Sequence, residues 1–245
     1  MPPMQPLLIV KTGSTFSELA SEVGDFENWI ERGLGLPPEA TVVVDVAAGA
    51  PLPEPDALTG CVVTGSHDNV TDELDWMPVL AGWLRDAVQG ELPILGICFG
   101  HQILAEALGG KAGFHPEGPE IGMAEIHLAE KAEIDPLFSQ MPSTFAAHVT
   151  HLQSALTLPE SAVVLACNAH EPHHAFRIGR HAWGVQFHPE FFADASRHYT
   201  TAQADLLEKN GFDSAAVHAA VVETPESTLL LSLFADYCAK NHTPK

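Results

Sequence analysis

Positive charge is scarce in this chain. Its 245 residues hold 11 Lys and Arg against 32 Asp and Glu, a formal net charge of -21. Nucleic-acid binding depends on basic side chains neutralising phosphates, so this balance excludes a polyanionic partner as the expected ligand. It also repels anionic membrane surfaces. No apolar run approaches the roughly 20 residues that a membrane-crossing helix needs. The opening Met1-Pro-Pro-Met-Gln-Pro6 has neither the basic start nor the apolar stretch of a secretory leader, and a cytoplasmic setting is expected. There is no internal repeat, no low-complexity tract and no Gly-rich loop of the P-loop type.

Cysteine is sparse as well. Cys61, Cys98, Cys167 and Cys238 are widely separated and form no C-x-x-C pair, so reduced thiols are expected rather than a disulfide framework. Cys61, Cys167 and Cys238 sit in apolar runs and read as small core residues. Cys98 has different neighbours.

What is present is ample apolar material: 46% of residues are hydrophobic and only 18% charged, enough to bury a core. Leu7–Val10, Thr41–Asp45, Cys61–Val63 and Ile94–Ile97 are short apolar, mostly β-branched runs that read as strands. Helical stretches fall between them, over about 16–32, about 72–88 and from Phe99 to the Gly109-Gly110 pair. That alternation implies a parallel sheet covered on both faces. From Ile121 to Gln186 the pattern changes to several short alternating runs, expected to be hairpins or sheet extensions without crossover helices. Two helices, about 193–210 and about 228–240, are expected to close the chain, with a loop containing Pro225 between them. The whole reads as one α/β domain over 1–245, with its core over about 7–201 and a helical segment over about 202–245.

Gly96-Ile97-Cys98-Phe99-Gly100 has the form Gly-x-nucleophile-x-Gly at a strand-to-helix junction. A sharp turn there lifts the sulfur above the sheet edge, and the glycines relieve the crowding that the turn creates. The helix N-terminus favours thiolate over thiol, and the Phe99 N–H points where an oxyanion would develop. Gln102, four residues on, projects to the same side of the helix and can reach a substrate over the sulfur. His101 points elsewhere. By itself the motif also fits a buried cysteine in a packing turn.

A second segment, Gly184-Val-Gln-Phe-His-Pro-Glu-Phe191, ends a strand on His188, with Glu190 two residues later on the same face of extended chain. A carboxylate there can accept from one imidazole nitrogen and leave the other for the thiol, the logic of a Cys98-His188-Glu190 triad. With 14 histidines in the chain, some His near some Glu is unavoidable. His170-Glu-Pro-His-His174 is a weak metal pattern that would need Cys167 to join it, and no metal or other cofactor is expected.

Together the two segments resemble class I, triad-type glutamine amidotransferase domains, nearest to stand-alone members related to the amidotransferase domain of GMP synthase, including γ-glutamyl peptidases. The resemblance covers roughly Leu7 to Thr201. It implies a flavodoxin-like, mostly parallel central sheet with flanking helices and an additional small β region. It also implies that Gly65, in Val62-Val-Thr-Gly-Ser66, supplies a second oxyanion donor beside Phe99. Here that turn reads Thr-Gly-Ser-His-Asp rather than the family's frequent Ser-Gly-Gly-Pro. Gln102 and the backbone segment Glu120, Ile121 and Gly122 would hold the amino-acid end of the substrate. His148-Val-Thr150 falls where many members have His-x-Asp, and the Thr departs from that pattern.

The expected chemistry is hydrolysis of glutamine or another γ-glutamyl amide through a Cys98 thioester. Ammonia as product would require a synthetase on a separate subunit. With a larger leaving amine the chain would be a γ-glutamyl hydrolase needing no partner. A silent binding module on the same fold is the third alternative, and self-association is compatible with all three.

Overall fold

The expected alternation of strands and helices is realised, with its breaks set by local chemistry. The computed structural model describes residues 5–241; the first four residues of the opening Met1–Pro6 segment, read above for a leader, lie outside the described residues. The first half comprises β1 (Leu7–Lys11), α1 (Ser17–Val23), α2 (Phe26–Leu34), β2 (Thr41–Asp45), β3 (Gly60–Val63), α3 (Met77–Gln89), β4 (Ile94–Ile97) and α4 (Phe99–Ala107). The strands β5 (Lys111–Phe114), β6 (Glu120–Leu128), β7 (Thr144–His151), β8 (Gln153–Thr157), β9 (Val163–Cys167), β10 (Ala175–Ile178) and β11 (Ala182–Val185) follow. Four helices close the described chain: α5 (Ala193–Ala202), α6 (Ala204–Lys209), α7 (Ser214–Ala219) and α8 (Pro225–Asn241).

Nine strands form one sheet in the order β2-β1-β3-β4-β11-β10-β9-β6-β7. Its centre, from β2 to β11, is parallel, and the β-rich middle of the sequence extends it with antiparallel pairs. Alternation at period two sends Leu7, Ile9, Val62 and Leu95 to one face, where Leu230, Leu231 and Phe234 of α8 cover them. Leu8, Val10, Val63 and Ile94 go to the other, under Leu80 and Leu84 of α3 and Ile103 and Leu104 of α4. Both faces are therefore buried, which is why these strands read as continuous apolar runs.

Five points of the expected layout need correction. The helix expected over 16–32 is two helices, because Gly24 takes φ 86° and Asp25 caps α2 in a capping box with Asn28. Asp25 also accepts from the Thr15 N–H at 2.8 Å and from Lys11 at 2.7 Å. The helix expected from about 72 begins at Met77, since Asn69 and Asp72 close a separate short turn over Val70–Asp72. Pro225 is the first residue of α8 rather than part of a loop, a position that wastes no backbone donor; the stretch before it includes α7, and Gln203 separates α5 from α6. Finally, β5 and β8 form a two-stranded sheet of their own, built from short, Gly- and polar-containing runs that carry no strand signal. Of the cysteines read as core, Cys61 and Cys238 are buried and Cys167 is only partly so; all four thiols are free.

The strand that leads to His188 is anchored by Asp135. This buried carboxylate accepts from Arg177 Nε at 2.8 Å and from Trp183 Nε1 at 3.2 Å. It also takes the N–H groups of Leu137 and Phe138 at 2.9 and 3.1 Å. Asp135→Ala strands all four donors and is expected to lower unfolding free energy by about 3 kcal/mol, measured by chemical denaturation.

Candidate active site

Cys98 is the junction between β4 and α4, with φ 50° and ψ -99°, a conformation that a side chain makes costly. Two close backbone approaches hold it there. A Cβ on Gly96 would collide with the Gly100 carbonyl, and a Cβ on Gly100 would collide with the carbonyl of Val63. These obstacles are backbone atoms, which cannot swing away. Gly100→Ala is therefore expected to cost about 3 kcal/mol of stability and to displace the sulfur. Thermal melts and Cys98 alkylation rates check the two effects. The Cys98 N–H donates to the Val185 carbonyl at 2.8 Å, tying the turn to the end of β11.

Continuing from that same strand end, Gln186 and Phe187 lead to His188, whose N–H donates to the His148 carbonyl at 2.9 Å. The Glu190 Oε1 atom lies 2.8 Å from His188 Nδ1. Nε2, the other ring nitrogen, is buried with no hydrogen-bond partner of its own, and the ring packs on Phe191 at 4.2 Å. Burial would strip the imidazole of its proton, but the Glu190 carboxylate and the Cys98 sulfur outweigh it and push its pKa up to about 10. The neighbouring His148 goes the other way: burial, with His188 and Arg197 nearby, brings it down to about 4 and keeps it neutral.

Cys98, Phe99 and His188 open on one cavity of about 260 Å³, whose wall also includes Gln102, Thr150 and Tyr199. That volume suits a ligand of amino-acid size. A larger groove of about 1050 Å³ runs past Glu190, Trp29 and Phe192. It reaches neither Cys98 nor His188, so the smaller cavity is the one next to reactive groups. Gly65 does not line it but lies against two residues that do: a Cβ there would stand 3.2 Å from His188 Cε1 and 3.8 Å from Cys98 Cβ. Five of the expected residues, Cys98, His188, Glu190, Gly65 and Phe99, thus converge.

The expected substrate-end residues fare differently. Gln102 lines the cavity, but its amide nitrogen is taken by the Gln153 carbonyl at 2.7 Å and Gln186 Oε1 at 3.1 Å, so its donor is not free as the helical spacing implied. Glu120, Ile121 and Gly122 are not among the residues lining the cavity. Glu120 stands behind it, 3.1 Å from His151 Nε2 and 3.2 Å from His174 Nε2, and accepts from Asn168 at 2.7 Å. Burial opposes its charge, yet the two imidazoles hold the carboxyl well below its usual range. Gly122, at φ 104°, faces Val217 instead. Within His148-Val-Thr150 only Thr150 lines the cavity, its carbonyl 3.8 Å from the Cys98 sulfur, while both nitrogens of the His148 ring are buried without partners. The next residues, His151, Leu152 and Gln153, do line it.

His101, as its spacing implied, is buried away from the cavity against Phe176 at 4.6 Å. The His170–His174 metal pattern disperses. His173 Nδ1 lies 2.7 Å from the Ala155 carbonyl, and His174 turns to Glu120. Among the described residues no group of three or more His, Cys, Asp or Glu is arranged to hold a metal ion. Two cavity residues that the spacing arguments pass over are His67 and Tyr199, joined Nε2 to hydroxyl at 2.8 Å, with Thr15 Oγ1 2.9 Å from the same hydroxyl. His67 stands in the turn just after Gly65; Tyr199 lies on a helix with no local motif to mark it.

A cysteine in the strand-to-helix turn after β4 and a His-x-Glu after β11 have their counterpart among known families. Residues 41–205 match the model of the glutamine amidotransferase class-I family. The chain belongs to the class I glutamine amidotransferase family. Among its relatives, γ-glutamyl peptidase 5 of Arabidopsis thaliana is 34% identical over 139 residues, 56% of this chain and 55% of the relative. One of the subunits of the glutamine-hydrolyzing GMP synthase of Methanococcus vannielii is 28% identical over 174 residues, 68% of this chain and 83% of that one. The match thus spans little more than half the length of the plant peptidases. A solved glutamine amidotransferase from Thermotoga maritima shares the fold, with a TM-score of 0.74 at 20% identity over 97% of this chain and 99% of the other. As an amidotransferase-family chain it has the mostly parallel central sheet and flanking helices that the resemblance implied. No helix among the described residues is long and apolar enough to cross a membrane.

Proposed function

We propose that the chain hydrolyses γ-glutamyl amides through a thioester on Cys98, acting as a γ-glutamyl hydrolase. The observation that carries this reading is the alignment of three groups. The Cys98 sulfur sits at a helix N-terminus, the unpartnered Nε2 of His188 is buried beside it, and Glu190 holds Nδ1.

The steps follow from those positions. The Cys98 sulfur, as thiolate beside the His188 imidazolium, attacks the δ-carbonyl carbon of the γ-glutamyl group. The carbonyl oxygen becomes an oxyanion between the Phe99 and Gly65 N–H groups. As it collapses, the bond to the leaving nitrogen breaks and His188 Nε2 gives its proton to that amine. His188, now neutral, takes a proton from water as the water attacks the thioester. Glutamate leaves, and the sulfur departs as thiolate beside a protonated His188. Glu190 keeps the ring oriented throughout.

The leaving amine separates two versions of this chemistry. The γ-glutamyl peptidases among the relatives support a larger amine released without a partner. The match over 83% of the Methanococcus GMP synthase chain supports ammonia passed to a synthetase on a separate subunit. The deciding experiment offers the purified chain alone glutamine, γ-glutamyl dipeptides and γ-glutamyl polyamines. Partner-free glutamate release from the larger amides supports the hydrolase reading. Turnover of glutamine alone, and only after a synthetase is added, overturns it in favour of the second.

A further inference from the structure

In the proposed thioester chemistry, on which this inference rests, half of the oxyanion site depends on where the Gly65 N–H points. We infer that Thr12 and Thr64 are positioning residues whose hydroxyls lock the Gly65 N–H onto the Cys98 side of the sheet, so that the oxyanion site is complete in the chain alone. Both side chains are fully buried just beyond the ends of neighbouring strands β1 and β3.

Donor counting shows how the clamp is wired. The Thr12 N–H donates to Thr64 Oγ1 at 3.0 Å. That occupies the Thr64 oxygen as an acceptor and sends its own proton to the Gly65 carbonyl, 2.9 Å away. The Thr12 hydroxyl has one proton and two carbonyls in reach, Gly65 O at 3.0 Å and Thr64 O at 3.1 Å. The two hydroxyl oxygens are themselves 3.0 Å apart. Both carbonyls flanking Gly65 are therefore tied to the β1 side of β3.

Peptide planarity turns this into a statement about the opposite edge. In a trans peptide the N–H points opposite to the C=O it is bonded to. With the Thr64 carbonyl held toward β1, the Gly65 N–H faces away from β1, and the strand on that side of β3 is β4, which leads directly into Cys98. The Gly65 N–H donates to no other backbone group among the described residues, and the glycine already borders Cys98 and His188. A backbone donor that is free, held from behind and facing the sulfur is what a preorganised oxyanion site needs. Nothing in the clamp requires a second chain to turn the peptide.

The test compares Thr12→Val, Thr64→Val and Thr12→Ser with the wild-type chain, each alone, on a γ-glutamyl amide. Valine keeps the shape and removes the hydroxyl. The two Val variants are expected to lose about 10- to 100-fold in kcat with KM within about twofold, because the donor acts on the transition state. Thr12→Ser, which keeps the hydroxyl, is expected to restore most of the rate. Alkylation of Cys98 by iodoacetamide builds no oxyanion and is expected to proceed at the wild-type rate in all three, which a general loosening of the site would not allow. Val variants with wild-type kcat overturn the clamp while leaving the hydrolase reading intact. Equal losses in turnover and alkylation also overturn it, since they mean that the elbow has collapsed. Should one Val variant fail to fold, the other decides on the same readouts. A wild-type chain inactive on every γ-glutamyl amide removes the reading on which the clamp rests, and the clamp with it.

Discussion

Cys98→Gly is expected to abolish turnover of γ-glutamyl amides while raising the melting temperature. The loss should be at least about 10⁴-fold in kcat, the scale on which removing a nucleophile acts when the whole constellation depends on it. The gain has a separate origin. Cys98 holds φ 50° and ψ -99°, where a side chain costs about 1–3 kcal/mol. Glycine has no such penalty in the folded state but gains freedom in the unfolded chain, a cost of about 0.4–1 kcal/mol. The net expectation is a stabilisation of about 1 kcal/mol, read by urea denaturation. Cys98→Ala, which keeps a Cβ in the strained turn, should be equally inactive without that gain. A fall in activity with unchanged stability in both variants would mean that the turn is not under strain.

Glu190→Gln is the second large effect. The amide can still hydrogen-bond Nδ1, but it cannot stabilise an imidazolium, and a change of this kind costs about 10³- to 10⁴-fold in kcat. It also has a pH signature. His188 is raised from its ordinary 6.5 to about 10 against the pull of burial, by Glu190 first and Cys98 second. A group raised on folding contributes stability in full below its unfolded pKa and loses it as pH climbs through the folded one. The stability gap between wild type and Glu190→Gln should therefore be widest below about pH 6.5 and narrow steadily toward pH 10. Denaturation midpoints across that range provide the check. A gap that widens with rising pH would mean that His188 is not held as the cation.

How much of this site can be read from the sequence follows from how local each contact is. Gly96 marks the elbow because the collision it avoids, with the Gly100 backbone, lies within a short stretch of chain around Cys98, whereas the collision Gly100 avoids is with the Val63 carbonyl on β3 and depends on the fold. His188 and Glu190 show themselves because a spacing of two in extended chain puts both on one face. Thr12 and Thr64 carry no such mark, since their partnership exists only when β1 and β3 lie side by side, 52 residues apart in sequence. Tyr199 is equally silent: its hydroxyl meets Thr15 from 184 residues away. Helical spacing places Gln102 correctly, yet Gln153 and Gln186 claim its donor across the fold. Likeness to other chains draws Glu120 toward the cavity, while His151, His174 and Asn168 hold it behind. The fold divides in the same way. The parallel centre is legible because its strands are buried on both faces and read as unbroken apolar runs. The β5–β8 pair and the break at Gly24-Asp25 depend on tertiary partners or a single cap.

Cys98 is expected to carry a γ-glutamyl thioester during turnover, and acid-quenching the chain within its first turnovers on a γ-glutamyl amide tests this directly. The peptide containing Cys98 is then weighed by mass spectrometry. The expected result is a mass increase of one γ-glutamyl group on Cys98 in the wild-type chain without any partner, accumulating in Glu190→Gln no faster than in wild type and absent from Cys98→Ala. Full-rate hydrolysis with Cys98 unmodified, or with the label on another residue, would contradict it.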